Sequence, residues 1–115
     1  MQKATIPTLH AERRIKEASY LRESYIELAS LYNDEKRYEE AYELIHQAFL
    51  IKEKAPIYIN EAFAWNEYVY DLMSMICFNL KLYPESIENI DKALKINPNN
   101  ERIKNNKKII LSLIN

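Results

Sequence analysis

Glu43 and His46 stand three residues apart, a spacing that sets a carboxylate and an imidazole side by side on a helix. Such a pair can begin a zinc site, but zinc takes three or four protein ligands. No third ligand follows, and His10 belongs to a separate segment. The reading is therefore no metal, with both histidines ordinary helix residues. Cys77 is the single cysteine and forms no internal disulfide. It shares a helical stripe with Tyr70, Met73 and Ser74; a thiol on an inward stripe behaves as a small hydrophobe, and nothing nearby lowers its pKa. The carboxylate pairs Asp34-Glu35 and Glu39-Glu40 fall at hairpin ends, where solvation and helix formation account for them. Neither a Gly-x-Ser-x-Gly elbow nor an Asp-x-Asp pair occurs. The chain reads as no enzyme in itself, with no cofactor.

The elements that would position any site follow from composition. The chain has 115 residues, 48% apolar and 29% charged, with four prolines and no glycine. A P-loop, a dinucleotide-binding turn and tight β-hairpins favour or require glycine, so their absence follows. What remains is a stack of helices. Sixteen basic against seventeen acidic side chains give a net charge of −1, too balanced to favour nucleic acid or an anionic membrane. Arg13-Arg14-Lys16 and Lys104, Lys107 and Lys108 read as solvated faces. The first twenty residues lack an apolar signal core, and no run approaches the ~18 apolar residues of a membrane span. The expectation is a soluble, cytoplasmic, all-α protein.

Two segments share one pattern. Tyr38, Ala41, Ile45, Ala48 and Phe49 match Tyr83, Ser86, Ile90, Ala93 and Leu94 step for step. Steps of three and four keep the small residues on one helical stripe, where a neighbouring helix can approach closely. Each run follows another with its own stripe: Tyr25, Leu28, Ala29 and Tyr32 in the first copy; Tyr70, Met73, Ser74 and Cys77 in the second. The short polar link Asn33–Arg37 suits an antiparallel hairpin. After the second copy, Pro98 stops a helix, Asn100 can cap the next, and Glu101 sits in its first turn.

These residues resemble the tetratricopeptide repeat, a helix–turn–helix unit of about 34 residues. The repeats lie at about 22–55 and 67–100, separated by an insert at 56–66, PIYINEAFAWN. Ala29 and Ser74 replace the family's helix-A glycine, and Tyr25 and Tyr70 its tryptophan. The fold class is all-α, with two helical-hairpin repeats flanked by capping helices. Residues 1–8 read as a tail and 9–115 as one domain. The first helix spans about Leu9–Ser19, where Ala11, Ile15 and Ala18 suggest half a repeat; the last, over 100–114, packs through Ile103, Ile110, Leu113 and Ile114. The insert either adds helix that covers the hairpin or serves as a specificity element.

The segments YLRESYIELA, IKEKAPIYINEAFAWNEYVYDL and ALKINPNNERIKNN are also similar to the repeat region that follows the catalytic domain in some bacterial family 2 glycosyltransferases. That resemblance implies an accessory carboxy-terminal region of a sugar-transfer enzyme; the alternative is a free-standing adaptor binding a peptide or partner helix. Ser24 and Val69 stand where that family has proline, and Lys107 where it has an apolar residue.

In the repeat family, helix A lines a concave groove. Here that face carries Glu23, Glu27 and Ser30 in the first repeat and Tyr68, Asp71, Met75 and Phe78 in the second; Trp65 in the insert joins them as a candidate. Acidic and apolar residues disfavour capture of an acidic peptide tail. Met75 and Phe78 suit an apolar helix or strand, unless the chain's own first helix or insert fills the groove. The partner expected is a protein, a peptide or an upstream catalytic domain. The aliphatic end of the last helix offers a homodimer contact.

Overall fold

The computed structural model describes residues 6–19, 21–52 and 65–114. Among them are six helices and no strand: α1 Ile6–Glu17, α2 Arg22–Asp34, α3 Tyr38–Leu50, α4 Glu67–Asn79, α5 Tyr83–Ile96 and α6 Glu101–Ile114. They belong to two compact units, Met1–Ala64 and Trp65–Asn115. Pro56–Ala64 of the insert lies outside the described residues.

In the first unit the α2–α3 hairpin closes on small residues. Ala29, Ala41, Ile45 and Ala48 are fully buried, as the shared stripe requires. The turn folds back through Arg37 N–H donating to Tyr32 O (2.8 Å) and Lys36 N–H to Asn33 O (3.0 Å). This closure places one residue in the left-handed region, Lys36 at φ 63°. Glycine would take that position without a Cβ penalty; in a chain without glycine a lysine occupies it. Arg22 seals the far end. Its buried guanidinium donates from Nε to Ala48 O (3.1 Å), which also accepts from Ile51 N–H, and from Nη2 to Ile51 O (2.8 Å), placing a cation at the negative C-terminal end of α3.

Helix α1 is described from Ile6, three residues before the expected Leu9, and takes in Pro7, whose missing N–H suits an early helical turn. It buries only Thr8 and Ala11. Ile15 and Ala18 are half-buried. Polar contacts supply much of its attachment: Thr8 to Glu35, Arg14 to Glu27, and Tyr32 Oη donating to Glu12 at 2.6 Å.

The second unit repeats the hairpin. Leu82 N–H donates to Cys77 O (2.8 Å) and Lys81 N–H to Phe78 O (3.0 Å), with Lys81 at φ 63°. Where the first hairpin has two alanines, this one has two serines. Ser74 Oγ meets Ser86 O at 2.9 Å, Ser86 Oγ meets Ser74 O at 2.8 Å, and the hydroxyls lie 3.0 Å apart. Helix α4 starts on Asn66, whose Oδ1 accepts from Tyr68 N–H (2.9 Å), so Val69 serves without a proline. Helix α6 starts on Asn100, whose Oδ1 accepts from Ile103 N–H (3.1 Å). Ile90, Ala93, Ile103 and Ile110 form the α5–α6 core, flanked by Tyr70, Phe78, Tyr83, Ile87 and Leu94.

The expected α6 stripe is half right. Ile103 and Ile110 are buried, whereas Leu113 and Ile114 are 52% and 45% exposed. At about 100° per residue, Leu113 points roughly 60° away from Ile110. Five aliphatics in six residues cannot share one face.

Candidate interaction groove

A groove of about 320 Å³ opens within the second unit. Met75, Phe78 and Asn79 of α4 form one wall, Asn106, Ile109 and Ile110 of α6 the other, and Ile90 of α5 lies between them. Met75 and Ile109 are 42% and 55% exposed, large apolar side chains facing solvent from opposite walls. Phe78 is held by Tyr83, ring centroids 5.7 Å apart. No ionisable side chain lines the groove; its polar members are the hydroxyl of Ser74 and the amides of Asn79 and Asn106. The Ser74 hydroxyl is already engaged with Ser86.

One turn before the groove on both walls, Arg102 Nη2 donates to Asp71 Oδ2 at 2.6 Å. Asp71 is buried, with its Oδ1 unpartnered, while the Arg102 side chain is 60% exposed. The pair ties α6 to α4 and leaves the remaining guanidinium donors toward the surface.

The walls are related by the repeat. Helix α6 begins 34 residues after α4, so Met75 corresponds to Ile109 and Asn79 to Leu113. The α4 stripe that receives α5 corresponds in α6 to Lys104, Lys107, Lys108 and Leu111. Lys107 there pairs with Asp91 (2.7 Å) and Lys104 with Glu101 (3.4 Å). Helix α6 thus has the address of a third helix A but three lysines on the flank that would take another helix B.

The other candidate residues lie elsewhere. Glu23 is buried in α2, Glu27 pairs with Arg14, and Ser30 is half-buried. Tyr68 is exposed and Trp65 half-buried ahead of α4; neither lines the groove. The structure brings together Met75 and Phe78, and adds Asn106, Ile109 and Ile110, which the sequence reading did not assign to a groove. The 34-residue offset from Met75 to Ile109 is the signal that finds them.

Elsewhere the chemistry is quiet. Burial pushes the Cys77 thiol up to about 12, with the Glu85 charge acting in the same direction, which removes a thiolate nucleophile at neutral pH. In the first unit, burial and the hydrogen bond to Glu12 push Tyr32 up to about 12, and the Arg37 guanidinium lies 3.8 Å over its ring. The hydrogen bond from Arg37 holds the Glu40 carboxyl below its ordinary value. His46 and Glu43 are exposed, the imidazole edge-on to Tyr42 at 4.5 Å. Among the described residues no three His, Cys, Asp or Glu side chains converge as a metal site.

A scan against protein families matches the tetratricopeptide repeat over residues 23–55 and 67–100, more than half of the chain. This chain belongs to the tetratricopeptide-repeat family. The matched spans are the two hairpins described above. Comparison with curated proteins gives no match. Tetratricopeptide repeats generally mediate protein–protein interaction and are typically non-catalytic scaffolds. No helix among the described residues is long and apolar enough to cross a membrane.

Proposed function

We propose that this tetratricopeptide-repeat chain is a non-catalytic interaction domain, spanning about 9–115, that holds an apolar segment of a partner protein in the α4–α6 groove. The observation that carries this reading is the uncharged groove itself, with Met75 and Ile109 presenting solvent-facing apolar surface across it. Exposed apolar residues scattered singly are normal, but convergence on one concavity marks a binding site. The site would act by burying side chains. The test places a photo-crosslinking amino acid at position 109, and separately at Leu50, which is equally apolar and 71% exposed on the first unit. Adducts with a protein partner from position 109 alone support the groove; equal adducts from both positions contradict it.

A narrower reading makes the chain the cytoplasmic accessory region of a bacterial family 2 glycosyltransferase. It is supported by the similarity of residues 20–29, 51–72 and 93–106 to that region; the groove's partner is then the upstream catalytic domain. The full reading frame tests it: a sheet-forming domain with a metal-binding Asp-x-Asp upstream supports it, and an unrelated frame contradicts it. The exposed aliphatics Ile109, Leu111, Leu113 and Ile114 make a second copy of the chain the competing occupant, which light scattering tests.

A further inference from the structure

Building on the groove reading above, we infer that the occupant is an amphipathic helix of a partner protein that carries an acidic side chain beside its apolar face. Three observations decide among occupants. First, Lys104, Lys107 and Lys108 occupy the flank of α6 that in α4 receives a helix B, so the apolar face α6 leaves open is the groove side with Ile109. Second, the surface along α6 offers a second copy little to pair with, because Arg102, Lys104 and Lys107 are already engaged with Asp71, Glu101 and Asp91. Its uncharged end, residues 109–114, is about 9 Å long, short for the roughly 800 Å² per partner that a stable dimer buries. Third, the only charge on the groove flank of α6 is Arg102, which spends one nitrogen on Asp71 and keeps an exposed guanidinium.

The register follows from helix geometry. Arg102, Asn106, Ile109 and Leu113 follow one another at steps of four, three and four along one flank of α6. Arg102 and Ile109 are therefore about 10 Å apart along the axis, at 1.5 Å per residue. A helix seated against this flank meets Ile109 with an aliphatic residue and Arg102 with a carboxylate two turns away. The carboxylate gains charge-assisted hydrogen bonds from donors that Asp71 leaves free. The Asn79 and Asn106 amides flank the apolar contact.

The probe is a fluorescein-labelled helical peptide on an alanine–glutamine background, with leucines over three turns of one face and a glutamate at each end of that face. Counterparts carry glutamine or lysine in place of both glutamates. Anisotropy titrations at low salt are expected to rank glutamate tightest, with lysine weaker by about ten-fold or more. Ile109→Lys abolishes binding of all three; that residue is 55% exposed, so the variant keeps its fold. Arg102→Gln removes the advantage of glutamate over glutamine; circular dichroism checks its fold, and the peptide series on the unaltered chain decides if it unfolds. Equal binding of the glutamate and lysine peptides, lost in Ile109→Lys, overturns the acidic partner while keeping the groove. No binding of any peptide overturns both. Self-association of the chain at about 100 μM that Ile109→Lys abolishes assigns the groove to a second copy and overturns the inference.

Discussion

The serine pair at the α4–α5 crossing permits a stability prediction with an internal reference. Two hydroxyls carry two protons, so of the three contacts between Ser74 and Ser86 only two are hydrogen bonds at a time. The carbonyl contacts are the shorter ones and take the protons. Ser74→Ala removes one such bond and leaves Ser86 still donating; Ser86→Ala does the reverse. Each single variant is expected to lose about 1 kcal/mol, the net worth of one hydrogen bond. The double variant recreates the crossing of the first repeat, where Ala29 and Ala41 are fully buried against no polar atom of their own. Each hydroxyl bonds a backbone carbonyl that every variant keeps, so the two losses are separate and the double variant is expected to lose about 2 kcal/mol, the sum of the singles. Urea denaturation followed by circular dichroism measures all three. A double variant that loses no more than one single refutes the reasoning, and so do neutral singles.

Two further outcomes follow from the turn and from the charge network. Lys81→Gly is expected to stabilise the second unit by about 0.5–1 kcal/mol, the left-handed penalty at φ 63° less the extra chain entropy of glycine; a lower urea midpoint contradicts this. Arg37 holds Glu40 below its ordinary value of 4.5, so this carboxylate adds stability above that pH and loses it as pH falls through the lowered folded value. Glu40→Gln is therefore expected to flatten the acid limb of the stability curve below about pH 4.5, measured by thermal melts; an unchanged limb contradicts it.

The hairpins were legible in the sequence because their information is periodic. Ala41, Ile45 and Ala48, and Ser86, Ile90 and Ala93, repeat at one spacing, and all are buried. Local chemistry also marked the cap at Asn100, whereas the Asn66 cap was hidden at the end of the insert. Legibility failed where three-dimensional neighbours decide. Arg22 gives no local sign that it will cap α3, because its acceptors lie 26 and 29 residues away. Of the site, Met75 and Phe78 were readable from one helix face. The opposite wall had its signal only in the 34-residue offset from α4 to α6, since Ile109 becomes a groove residue through the docking of α6.

The most direct test of the groove follows the methionine methyl groups by NMR. Met75 faces the groove and is 42% exposed, whereas Met73, two residues away on the same helix, is 1% exposed in the packed face. On adding the glutamate peptide, the Met75 methyl resonance is expected to shift and saturate while Met73 stays in place, and Ile109→Lys removes the shift. A saturating response at Met73 with none at Met75, or a Met75 shift unaffected by Ile109→Lys, contradicts the account.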